Sequence, residues 1–163
     1  MSVADDLKAG ELPGSDDNAS AVAGLLELAV LLGSTPLETR VDLVAFTLEE
    51  PPYFNTEHMG SAVHARSLRK QNFAVRIMIS LEMIGYFSDA PNSQRFPLPL
   101  MDLLYPPKGN FIAVIGKIGQ GDVVRRMKKG MRTGSALPVY PFNAPASMPG
   151  INLSDHINYW NQG

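Results

Sequence analysis

The residues of this 163-residue chain that could do chemistry are acidic and lie at three separated places. Asp16 and Asp17 precede an apolar run, Glu49 and Glu50 stand directly before Pro51 and Pro52, and Glu82 closes the run VRIMISLE. Carboxylates brought together repel one another unless a proton or a cation separates them. Oxygen donors of this kind suit hard divalent cations, and two cations can share one carboxylate. Neighbouring residues of a strand point to opposite faces. In the turn that Pro51 forces, however, one of Glu49 and Glu50 can hold a metal while the other takes a proton from bound water. The ordinary reading of the same residues is a helix entrance for Asp16–Asp17 and a solvated turn for EEPP.

Elements must carry these acids to one place. The run from Val22 to Leu32 is apolar except for Glu27, with Asp and Asn before it and Gly33 after it. This predicts a helix over about 18–33, buried on most of its circumference. Residues 40–47, RVDLVAFT, read as a strand that the prolines at 51 and 52 stop. Residues 57–70 read as a helix ending in a basic turn, and 75–82 as a second strand. After a proline-rich stretch, 111–116 is a short apolar strand. Val123, Val124, Met127 and Met131 mark one face of a helix over 120–132. A strand near 137–140, a proline-rich loop over 141–150 and a last helix within 154–160 complete the chain. Alternating helices and apolar strands predict an α/β layered domain with a largely parallel sheet. In such sheets ligands sit beyond the carboxyl ends of the strands, where Glu49, Glu50 and Glu82 fall. Residues 1–15 read as a flexible N-terminal segment, leaving 16–163 as the folded domain.

Composition narrows the function. Fourteen basic against sixteen acidic residues give a net charge of −2, with no general attraction to nucleic acid or anionic lipid. The chain has no cysteine, which excludes disulfides, thiolate nucleophiles and Cys-ligated metals. No apolar run approaches the ~20 residues of a membrane span. No basic-then-apolar signal sequence is visible at the N-terminus. The expected partners therefore exclude nucleic acid and membrane.

Four segments in order, PGSDDNASAVAGLLELAVLL, VDLVAFTLEEPPYFNTEHMGS, ISLEMIGY and SDHINYW, make the chain resemble the M28-type zinc-dependent aminopeptidases. The conjunction carries the resemblance, which runs from about Pro13 to the last residues. It implies a three-layer sandwich with a mostly parallel mixed sheet and two zinc ions. It implies Asp16 as the aspartate bridging the zincs, and Asp17 as the residue joined to it by a cis peptide. Glu49 is implied as general base, Glu50 as a ligand of one zinc and Glu82 as a ligand of the other. Ser154, Asp155 and His156 match a segment near the active site. The implied activity is hydrolysis of a peptide with a free N-terminus. The resemblance also implies two histidine ligands, one upstream of Asp16 near Asp5 and one beyond the SDH segment. No histidine precedes His58, and the sequence ends at Gly163. Each zinc would keep two protein ligands here, so the expectation is a truncated peptidase domain. The alternative is a peptidase-fold domain that binds without cleaving.

Other residues have plainer readings. His58 and His64 are six apart, not the four of a helical zinc pair, and read as surface or capping residues. Arg125, Arg126, Lys128, Lys129 and Arg132 read as a solvated helix face. Met78, Met83, Met127 and Met131 read as core fillers. GKIGQG has the spacing of neither common phosphate-loop fingerprint. Tyr159 and Trp160 read as an anchor for the last helix or the wall of a side-chain pocket.

Overall fold

The computed structural model describes residues 16–96 and 99–163. The expected flexible segment 1–15, with the position near Asp5, lies outside them. The chain divides into two compact units, one of Met1–Tyr86 with Asn158–Gly163 and one of Phe87–Ile157.

The first unit holds two helices and, between and after them, segments without a regular element. Helix α1 spans Ala19–Gly33 and α2 spans Gly60–Lys70. The α1 sequence is apolar almost throughout, yet only Ala21 is buried, and Leu26, Val30 and Leu31 are exposed. The burial expected on most of its circumference is therefore corrected: among the described residues too little of the chain packs against this helix to cover it. α2 is better seated. Its Ser61, Ala62 and Ala65 are buried, and its last turn carries Arg69 and Lys70, where positive charge suits the helix dipole. Met59, just ahead of α2, is fully buried. The sulfur of Met59 accepts from the N–H of Asn55 and the side-chain amide of Asn158, and that amide also donates to Ser61 Oγ. Met59 fills the role expected of Met83, which is exposed.

The expected strands at 40–47 and 75–82 are corrected: among the described residues neither segment forms a strand or joins a ladder, since a strand needs a partner edge to pair with. The backbone turns left-handed at each end of interest. Leu48, before Glu49, has φ +62°, and Met83, after Glu82, has φ +46°. Asn55, Asn72 and Asn92 share this left-handed region, which asparagine tolerates. Leucine and methionine enter it at a cost of about 1–2 kcal/mol.

The second unit is built on a parallel βαβ unit. Strand β1 (Ile112–Lys117) pairs with β2 (Val139–Ala144) in register from Ile112↔Val139 to Lys117↔Ala144. Helix α3 (Gly121–Gly134) connects them and packs on both. Val124 is buried and Val123, Met127 and Met131 are half-buried, as the spacing predicts; of the basic residues expected in solvent, Arg125, Arg126, Lys129 and Arg132 are exposed and Lys128 is half-buried. β2 extends to Ala144, so the loop expected over 141–150 begins later. Pro141 is accommodated in a strand with one paired edge. Gly116 explains part of GKIGQG: a Cβ there would stand 2.7 Å from Val124 Cγ2, so β1 and α3 meet through this glycine. Gly119 has φ +95° and makes the turn into α3. Tyr105 stacks edge-on against Tyr140 and Phe142 and donates its hydroxyl to the Pro141 carbonyl at 3.0 Å. Burial raises its pKa above the ordinary 10.0. A 3₁₀ turn over Pro99–Leu103 precedes it, and α4 (His156–Trp160) lies near the C-terminus.

Candidate active site

The start of α1 is clamped to the segment that ends at Glu82. Asn18 takes the N-cap position but makes no side-chain bond to its own helix. Its amide donates to the Leu81 carbonyl and to Glu82 Oε2, both at 3.0 Å, and its oxygen accepts the Met83 N–H. Asp16 Oδ1 accepts the Gly85 N–H at 2.9 Å. Ser20 Oγ donates to the Asp16 carbonyl and accepts the Ile84 N–H. Gly85 is required for this fit, since a Cβ there would stand 2.7 Å from Ser20 Cβ. The clamp brings Asp16 and Glu82, 66 positions apart in sequence, to one junction.

The cis peptide of this region joins Asp17 to Asn18. It falls one bond later than the expected Asp16–Asp17. The Asp16 carboxylate is engaged by a backbone N–H, whereas the Asp17 carboxylate makes no hydrogen bond to a described residue.

Glu49 is half-buried and Glu50 is exposed. The Glu50 carbonyl accepts the N–H groups of Tyr53 and Phe54, which closes the turn that Pro51–Pro52 begins. A further bond ties this region to α2, with Gly60 N–H donating to the Thr47 carbonyl at 2.9 Å. Beside Thr47 lies an open groove of about 470 Å³, lined by Val44–Thr47 and by His58, Val63 and His64. His64 Nδ1 bonds the Tyr159 hydroxyl at 2.6 Å, and both rings meet Phe46. Tyr159 thus anchors the C-terminal residues onto α2. His58 is exposed at the groove, as its spacing from His64 suggested.

In the second unit, Asp155 and Ser154 are buried and His156 is half-buried. His156 Nε2 bonds the Ile151 carbonyl at 2.6 Å.

Among the described residues, no three His, Asp or Glu side chains gather closely enough to hold a metal ion. The expected acids are hard oxygen donors, and two of the three histidines are engaged with Tyr159 and Ile151. This donor set does not by itself fit zinc, whose catalytic sites take imidazole and three protein ligands. The positions sequence reasoning missed are Asn18 and Gly85. The signal for Asn18 was visible as a capping residue, but not the reach of its side chain across to Glu82.

A family model described as peptidase family M28 matches residues 3–102. The matched span holds Asp16, Asp17, Glu49, Glu50 and Glu82. The chain is 53% identical over 148 residues to the uncharacterized protein YfbL of Escherichia coli (strain K12). That match covers 91% of this chain and 45% of the relative, so the chain spans about half the relative's length. No solved structure matches it significantly.

Proposed function

This chain belongs to peptidase family M28, and on that premise we propose that it serves metal-dependent removal of N-terminal residues from peptides. The observation that carries the reading is the strained backbone beside both groups of acids. Leu48 and Met83 adopt left-handed conformations beside Glu49–Glu50 and Glu82 respectively. Strain in residues that do not favour it collects at functional sites, where it aims neighbouring side chains. In this reading Glu49 is the general base. It takes a proton from the water whose oxygen attacks the peptide carbonyl, and returns it to the leaving amine.

In this reading Glu50 and Glu82 are the carboxylates that would hold a divalent cation, Glu82 already taking hydrogen bonds from Asn18 and Ser80. Asp17 joins Asp16 as a candidate bridging ligand, because the Gly85 N–H already engages Asp16 Oδ1. The resemblance asks for two zinc ions and two further imidazoles, and for a three-layer sandwich around them. Asp155 and His156 belong to the reading as residues near the site, not as ligands.

A second reading, a peptidase-fold domain that binds peptides without cleaving them, is favoured by the absence of a metal-holding cluster among the described residues. One experiment separates the two. The purified chain and the Escherichia coli relative are assayed for metal content and for turnover of aminoacyl chromogenic substrates. Metal-dependent turnover by both supports hydrolysis by this chain. Turnover by the relative alone supports the binding reading.

A further inference from the structure

We infer that the outer face of α3 is a docking surface for an anionic lipid bilayer. The net charge of −2 conceals an uneven division between the two units. Phe87–Ile157 carries eight Lys and Arg against four Asp, a net +4, while the rest of the chain carries six basic against twelve acidic residues, a net −6. The whole chain has no general attraction to an anionic surface, but the field near a surface is set by the charges closest to it. Those of the second unit are mostly positive.

Five of these eight cations stand together on α3: Arg125, Arg126, Lys128, Lys129 and Arg132. A helix turns about 100° per residue, so the five occupy an arc of roughly 160°. The Val/Met stripe lies on the opposite side, where α3 packs on β1 and β2. Arg125 and Arg132 are roughly 10 Å apart along the axis, about one Debye length at moderate salt, so an array of anions meets all five at once. Four of the five are exposed and Lys128 is half-buried. The one acid in α3 is Asp122, which pairs with Arg125 and leaves the other four cations to a partner.

The kind of partner follows from what adjoins the cations. Ile118 lies in the turn that leads from β1 into α3 and is 67% exposed. An apolar side chain beside a basic face suits a surface whose charged headgroups cover an apolar interior. Nucleic acid is a poorer partner, because residues 118–134 contain no aromatic ring on which a base could stack. An acidic peptide would satisfy the cations but offers nothing to Ile118. The apolar stripe of α3 stays on the sheet, so the folded unit adsorbs to the bilayer and does not insert its helix. Such attachment is reversible and sensitive to salt.

The test sediments the full chain with vesicles of phosphatidylcholine alone and of phosphatidylcholine and phosphatidylserine in equal parts. Expected is pelleting only with the phosphatidylserine vesicles, and release at about 0.5 M salt, where the Debye length falls to roughly 4 Å. One cation near an anionic surface strengthens binding roughly fivefold, so Arg126→Gln combined with Lys129→Gln should weaken it roughly 25-fold. Ile118→Ser should weaken it roughly fivefold without changing the salt dependence. Asp122→Asn should strengthen it roughly fivefold. That gain is the opposite of what a damaged fold would give, and hydrogen exchange of the α3 amides shows which variants remain folded. Pelleting with neither vesicle or equally with both, or folded variants that bind as the wild type does, would overturn the inference. So would tighter binding to a single-stranded oligonucleotide or to polyglutamate at the same salt. None of these readouts depends on turnover, so the inference can fail or survive independently of the peptidase reading.

Discussion

A methyl group at Gly85 tests the junction that ties Asp16 to the Glu82 segment. Its Cβ would lie 2.7 Å from Ser20 Cβ and 3.1 Å from Asp16 Oδ1. Carbon atoms pack best at about 3.5–4.0 Å, so the backbone at residue 85 must retreat by roughly 1 Å. That movement stretches the Gly85 N–H bond to Asp16, now 2.9 Å, and the Ile84 N–H bond to Ser20 Oγ, now 3.1 Å. Overpacking costs about 1–3 kcal/mol, and a weakened hydrogen bond at a half-exposed carboxylate adds up to about 1 kcal/mol. Gly85→Ala should therefore destabilise the junction by about 2 kcal/mol, a shift of roughly 30-fold in its opening equilibrium. Hydrogen exchange at the Ile84 amide and the first turn of α1 reads this directly. Ser20→Gly removes the atom in the way, so the double variant should recover at least about 1 kcal/mol relative to the sum of the singles. Additive effects, or a Gly85→Ala variant within about 0.5 kcal/mol of wild type, would show that the close approach is not what holds the junction.

Three further outcomes follow from the same contacts. Asn18→Ala removes the bonds to Leu81, Glu82 and Met83 together and should cost about 1–2 kcal/mol by urea unfolding, with faster exchange at Met83. Gly116→Ala should cost the second unit about 1–3 kcal/mol, and Val124→Ala in the same chain should restore part of it. Tyr105 has a folded-state pKa raised above 10.0 by burial. Its neutral form therefore favours folding below pH 10, and that contribution is lost as pH rises through the raised value. Phenolate absorbance should show a late-titrating component that disappears in Tyr105→Phe.

The fold of the second unit was legible because each of its signals is local. The apolar run at 111–116, the Val/Met stripe of α3 and the strand at its far side reappear as β1, α3 and β2 within a few residues. The first unit was legible only in its helices. Segments 40–47 and 75–82 alternate as strands do yet form none among the described residues, because pairing is a property of two strands and composition names no partner. The apolar α1 misled for the same reason, since a helix is buried by what packs on it. At the candidate site, residue types and order indicated where acids would lie. Distances of approach were not readable, because they depend on Asn18, Ser20 and Gly85, residues without a catalytic signature.

The central claim, that Glu49 is the base of a peptide hydrolase, is tested most directly by comparing wild type with Glu49→Gln on an aminoacyl chromogenic substrate at equal measured metal content. The account predicts turnover by the wild type and a loss of at least about 100-fold in the variant, the range for a removed general base. Equal turnover in the two proteins, or none in the wild type, would contradict it.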